Sequence, residues 1–115
     1  MLKRNIEIKF TKEGIHCYPA APDEVAFLRD LHRHIFHFYV KLEVFHNDRD
    51  VEFIMFKREL EALYKYSAVV SINHKSCEML AEDLIDYVKN KYPNRDTTVR
   101  VYEDDENGAV LEYVK

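Results

Sequence analysis

Leu31-His32-Arg33-His34-Ile35-Phe36-His37-Phe38-Tyr39-Val40-Lys41-Leu42-Glu43-Val44-Phe45 is the stretch that decides the fold. His32, His34, Phe36, Phe38, Val40, Leu42 and Val44 fall on one parity, and Arg33, Ile35, His37, Tyr39, Lys41, Glu43 and Phe45 on the other. A period of two over so many β-branched and aromatic residues predicts a long strand. Its first face is apolar beyond two histidines, so that face points at a core. Working upstream, Ile6, Ile8 and Phe10 alternate with Asn5, Glu7 and Lys9, which predicts a first strand over Leu2–Phe10 with Gly14 in the turn region after it. Pro19 and Pro22 lack a backbone donor and make Cys17 to about Asp30 an irregular stretch, with Asp23 capping a short helical turn through Leu28.

Downstream, His46–Asp50 is a polar break. Phe53, Phe56, Leu60, Leu63 and Tyr64 then recur at helical spacing, predicting a helix from Phe53 to Tyr66. Val69–Ile72 is an apolar run too short for periodicity to classify. Ser76 suits the N-cap of a second helix with a stripe of Leu80, Ala81, Leu84, Tyr87 and Val88, ended by Tyr92-Pro93-Asn94. Thr97–Glu103 and Ala109–Tyr113 read as a hairpin around an acidic turn, with Asn107-Gly108 as the turn signal. The order strand, strand, helix, helix, strand, strand predicts a two-layer α+β domain, ββααββ, with a four-stranded antiparallel sheet and both helices on one face. Its open edges predict pairing between subunits.

The chain has 115 residues, 47% hydrophobic, with a net charge of −4. That is the size of one domain, 1–115, and the composition argues against disorder. The acidic balance disfavours nucleic acid, and no apolar run is long enough to span a membrane. No secretory h-region is visible, and two cysteines make no disulfide framework, so the expected location is cytoplasmic. With two glycines, no phosphate-cradling G-x-x-x-x-G-K or G-x-G-x-x-G motif exists.

Six histidines are the compositional surplus. On a strand, His32 and His34 share a face with Cβ atoms about 6–7 Å apart, which suits two imidazoles converging on one metal. Ordinary strand residues at a sheet end would show the same spacing. His16 becomes a third ligand if the first two strands form a hairpin; three protein ligands and an open position are what catalytic zinc takes. His37 faces the opposite side, and His46 lies too far along the strand to join. His74, before the second helix, approaches the same end. Cys77, at a helix N-terminus, is open to two readings, a reactive thiol of lowered pKa or a small pocket or core residue. Asp104-Asp105-Glu106 reads as a solvated turn.

Leu31-His32-Arg33-His34 resembles the L-H-G-H of the 6-pyruvoyltetrahydropterin synthase / 6-carboxytetrahydropterin synthase family, with His16 where that family places its first zinc histidine. Val51–Lys57 resembles its V-x-D-F-x-x-L-K, Ser76–Glu82 its P-T-S-E-N-L-A, and Val101-Tyr102-Glu103 its V-x-E. The resemblance covers most of the chain in the family's order. It implies the T-fold, with sheets joined between subunits into a barrel, a hexamer or related homo-oligomer. It implies zinc on His16, His32 and His34, and Glu103 as the anchor of a pterin- or purine-like small molecule, with Ser76, Cys77 and Glu78 lining the same pocket. The implied activity is a zinc-dependent lyase acting on a dihydroneopterin-triphosphate-like substrate, in pterin or 7-deazaguanine (queuosine) precursor chemistry. The departures fall on proton transfer. Leu28 stands where the carboxytetrahydropterin branch has its catalytic Cys, and the family's Asp-His pair is missing from Lys65–Lys75, where His74 is the sole candidate. Cys17, Cys77 and His74 are therefore the candidate catalytic groups, and the alternative is a non-catalytic T-fold oligomer that holds a pterin, purine or nucleotide-like ligand.

Overall fold

The computed structural model describes residues 1–64 and 69–115. Its strands form one five-stranded sheet, in the order Val69–Ser71, Arg4–His16, His32–Val44, Thr97–Glu103, Asn107–Tyr113 across the sheet. β1 (Arg4–His16) and β2 (His32–Val44) are antiparallel along their whole length, from Arg4 opposite Val44 to His16 opposite His32. β1 thus runs six residues beyond the predicted end at Phe10, and Gly14 lies inside it, buried opposite His34. Local alternation fades at Lys12-Glu13, but the long strand alongside continues to pair with β1 as far as His16, and pairing overrides propensity.

The unclassified apolar run forms β3 (Val69–Ser71), parallel to β1, with Glu13 opposite Val69. This fifth strand corrects the four-stranded expectation. β1 has a free edge there, and the run satisfies it: Ile72 N–H donates to the Ile15 carbonyl at 3.0 Å and Cys17 N–H to that of Asn73 at 2.9 Å. The remaining four strands are antiparallel as expected, with β4 (Thr97–Glu103) between β2 and β5 (Asn107–Tyr113).

α1 (Phe53–Glu61) is shorter than predicted and passes into a 3-10 turn over Ala62–Tyr64; Tyr66 lies outside the described residues. Glu52 caps it by accepting from the backbone N–H groups of Ile54 and Met55. Only Phe56 and Leu60 of the predicted stripe are fully buried, while Phe53 and Leu63 are exposed. α2 (Cys77–Lys91) begins at Ser76 as expected and buries Leu80, Ala81, Leu84 and Val88. These residues meet Phe36, Phe38, Val40 and Leu42 of β2 and Val99 and Val101 of β4 in one core. Phe10 stacks on Phe38 with ring centroids 4.8 Å apart. The irregular stretch holds a 3-10 helix over Asp23–Arg29; Asp23 does not cap it but pairs with Arg29 at 2.7 Å.

The β4–β5 turn corrects a second expectation. Asp104 (φ 52°) and Asp105 (φ 57°) are the left-handed residues, closed by Glu106 N–H donating to the Glu103 carbonyl at 3.0 Å. Asn107 and Gly108 pair inside β5. Aspartate tolerates this conformation because its short side chain finds local partners. Gly108 serves close approach instead: a Cβ there would meet the Val101 carbonyl and lie 2.6 Å from Tyr102 Cα.

Candidate metal centre

Strand parity assembles the site. His16, His32, His34 and Glu103 all project on the helix-bearing face, continuing the core stripe past Phe36. His16 pairs directly with His32, and Glu103 pairs with Phe36, two residues beyond His34. Rings of the three histidines are mutually edge-on, with centroids 4.5 Å (His16–His32), 5.0 Å (His32–His34) and 5.4 Å (His16–His34) apart. They offer ligand atoms that all lie within 4.8 Å of one another. The β1 extension to His16 is what makes this possible, since a strand ending at Phe10 would leave its position undetermined.

Each ring is held at Nδ1. His16 Nδ1 lies 2.9 Å from the Lys75 carbonyl, His32 Nδ1 2.9 Å from the Asp30 carbonyl and His34 Nδ1 2.7 Å from Asp104 Oδ2. Carbonyl and carboxylate oxygens only accept, so each Nδ1 carries the proton and donates. In the neutral ring Nε2 is then the bare nitrogen, the state a metal requires. The Nε2 atoms of His16 and His34 are buried and make no hydrogen bond. A buried polar atom without a partner costs about 1–3 kcal/mol, so two side by side point to a bound group. These residues therefore fit a zinc ion: three imidazoles, orienting partners, and orphaned nitrogens on the inner side.

Asp104 lies in an exposed turn, as expected, and also reaches the site. Its second oxygen accepts from Ile35 N–H at 2.9 Å, so the bonds from His34 and Ile35 together hold its carboxyl below the usual carboxylate range. Nothing local in the sequence marks this role, because it depends on β4 and β2 ending side by side.

A cavity of about 540 Å³ opens beside the histidines, within the range of small-ligand sites. Cys17, His74, Cys77, Glu78 and Glu103 all contribute to its wall, as does Ser76. The Ser76 hydroxyl oxygen is engaged in capping α2, accepting from Met79 N–H at 3.2 Å. Cys77 is buried with Sγ 3.9 Å from Glu103 Oε1. Burial first, and then the Glu103 charge, push its thiol up to about 12, so the helix N-terminus does not give the lowered value one of its two readings required. Leu28 also lines the cavity, in the place of the cysteine that the resemblance would supply. His37 and His46 stand apart as expected, near Asp105 (4.0 Å) and Asp50 (3.7 Å). No helix among the described residues is long and apolar enough to cross a membrane. The chain matches no protein-family model and none of the curated proteins with which it was compared.

Proposed function

We propose that this chain is a divergent T-fold protein whose zinc centre and adjoining cavity act on a dihydroneopterin-triphosphate-like substrate as a lyase. The observation that carries the reading is the set of three histidines fixed at Nδ1, with the buried Nε2 atoms of His16 and His34 making no hydrogen bond, beside a cavity whose wall includes the Glu103 carboxylate. Zinc held by His16, His32 and His34 would polarise an oxygen of the substrate side chain and so acidify the neighbouring C–H. Glu103 would accept from the amino and ring N–H edge of a pterin or guanine-type ring, where two acceptor oxygens match two donors. Proton transfer falls to Cys17, His74 or Cys77, all on the cavity wall. Of these, Cys77 is disfavoured by its raised thiol pKa. The free cysteines suit a reducing cytoplasm. β3 and β5 are the sheet's edge strands, and pairing of such edges between subunits would build the barrel that the resemblance implies.

A second reading is favoured by one observation: Leu28, at the position where the resemblance implies a cysteine, is an apolar part of the cavity wall. Under it, the protein holds a pterin, purine or nucleotide-like ligand without turning it over. The test is incubation of zinc-loaded protein with dihydroneopterin triphosphate, with chromatography of products and calorimetry of binding. Product formation supports the lyase, and binding without product replaces it by the holder. His32→Ala should abolish stoichiometric zinc; unchanged zinc content in that variant would remove the metal centre altogether.

A further inference from the structure

Glu103 lies between two of the histidines. Its Oε1 is 3.3 Å from His16 Nε2 and its Oε2 is 3.3 Å from His34 Nε2. Both rings donate their Nδ1 proton elsewhere, to Lys75 and Asp104. A neutral ring therefore turns a lone pair toward a carboxylate oxygen, and it does so twice. That arrangement is repulsive in a partly buried site unless positive charge stands between the nitrogens and the oxygens. A protonated ring would supply that charge as an ion pair with Glu103, and a metal ion would supply it with both rings neutral. Among the described residues Glu103 pairs with no lysine or arginine. Zinc donors lie about 2.0–2.1 Å from the ion, which places adjacent corners of its tetrahedron about 3.3 Å apart. The two nitrogen–oxygen separations have that length, but through different oxygens, Oε1 to His16 and Oε2 to His34, and Glu103 makes no pair with His32 among the described residues, so the carboxylate must rotate for one oxygen to fill a single corner.

We propose that Glu103 is the fourth metal ligand of the ligand-free site. The inference rests on the metal-centre reading and deepens it. The resting metal is closed by three imidazoles and one carboxylate. A ligand whose ring N–H groups claim Glu103 draws that carboxylate off the metal and opens a coordination position for the ligand's own oxygen. Ring recognition and metal opening are then one event on one side chain.

The experiment compares the wild type with Glu103→Gln and Glu103→Ala. Zinc affinity is measured by competition with a chromophoric chelator, and cobalt(II) replaces zinc for visible spectroscopy with and without azide. The melting of each metal-free protein reports folding, and Glu103→Gln preserves the side chain's size should Glu103→Ala fail to fold. The wild type should bind one metal with a spectrum that azide leaves unchanged. Both variants should bind at least about tenfold more weakly, and azide should shift the cobalt bands of the variants. Variants that match the wild type in affinity and azide response, beside a wild type that binds one metal, overturn the role of Glu103 and leave the metal centre standing. A folded wild type that binds neither metal overturns both.

Discussion

Replacing Asp104 by asparagine should loosen the metal while sparing the fold. The Asp104 side chain makes two bonds: Oδ2 accepts from His34 Nδ1 at 2.7 Å, and Oδ1 accepts from Ile35 N–H at 2.9 Å. Asparagine keeps the second, because its amide oxygen can take the place of Oδ1. It also tolerates the left-handed backbone at φ 52°. What it loses is the carboxylate opposite His34. The amide NH₂ then faces the ring N–H, and the contact is relieved when the proton moves to Nε2. That tautomer presents a proton where the metal needs a lone pair. A hydrogen bond to a charged partner is worth about 1.5–3 kcal/mol. Outer partners of metal-binding histidines typically contribute about 10–100-fold in affinity, or roughly 1.4–2.7 kcal/mol. The two estimates agree, so zinc affinity should fall about 10–100-fold. Competition with a chromophoric chelator measures it. Melting of the metal-free protein serves as the control, and Asp104→Ala separates backbone from carboxylate by adding a left-handed strain of about 1–2 kcal/mol. If Asp104→Asn binds zinc as tightly as a wild type that binds one ion, the orienting role is refuted.

Three other outcomes are expected. Leu84 is fully buried between helix and sheet, so Leu84→Ala should cost about 2–5 kcal/mol and lower the melting temperature by roughly 10–20 °C; a change within the error of thermal melts would mean the core is not packed as described. Burial raises the Cys77 thiol to about 12, so in native metal-free protein it should resist iodoacetamide at pH 8 and react fully only on unfolding, which mass spectrometry of digested protein reads out; rapid native labelling of Cys77 would contradict its environment. Asp50 accepts from Arg95 at 2.9 Å and from Phe45 N–H at 2.8 Å, and these bonds, Arg95 foremost, hold its carboxyl below the ordinary 3.8. A depressed folded-state value contributes stability above 3.8 that is lost as pH falls through the folded value, so urea denaturation should show wild type losing its advantage over Asp50→Asn below about pH 4; a constant difference between the two across that range would count against the ion pair.

Much of the architecture was legible because it is written in local periods. The alternation through β2 fixes which residues share a face, and that alone puts His32 and His34 beside each other at one end of the core stripe. The N-cap at Ser76 and the spacing of Leu80, Leu84 and Val88 set the start and buried face of α2. These features depend on neighbours within a few residues, where the backbone geometry is the same in any fold. The pairing of His32 with His34 was legible for the same reason, since strand parity concerns local spacing.

Long-range pairing decided the rest. Lys12–His16 has no strand pattern of its own and is strand because β2 lies alongside, which is what brings His16 opposite His32. Val69–Ser71 is strand because β1 had an edge to fill. Asp104 looked like a solvent-facing acid and is also an acceptor for His34, 70 residues earlier in the chain. The burial of Cys77, which outweighs its helix end, comes from its place in the core cluster with Phe36 and Leu80. By itself the sequence determined β2, α2 and the strands on either side of the acidic turn, with the faces of β2 and α2, because those follow from side-chain spacing along one segment. Only the tertiary structure decided which nitrogen His16 and His34 present and what stands opposite it, because a carbonyl from residue 75 and carboxylates from residues 103 and 104 reach those rings through space rather than along the chain.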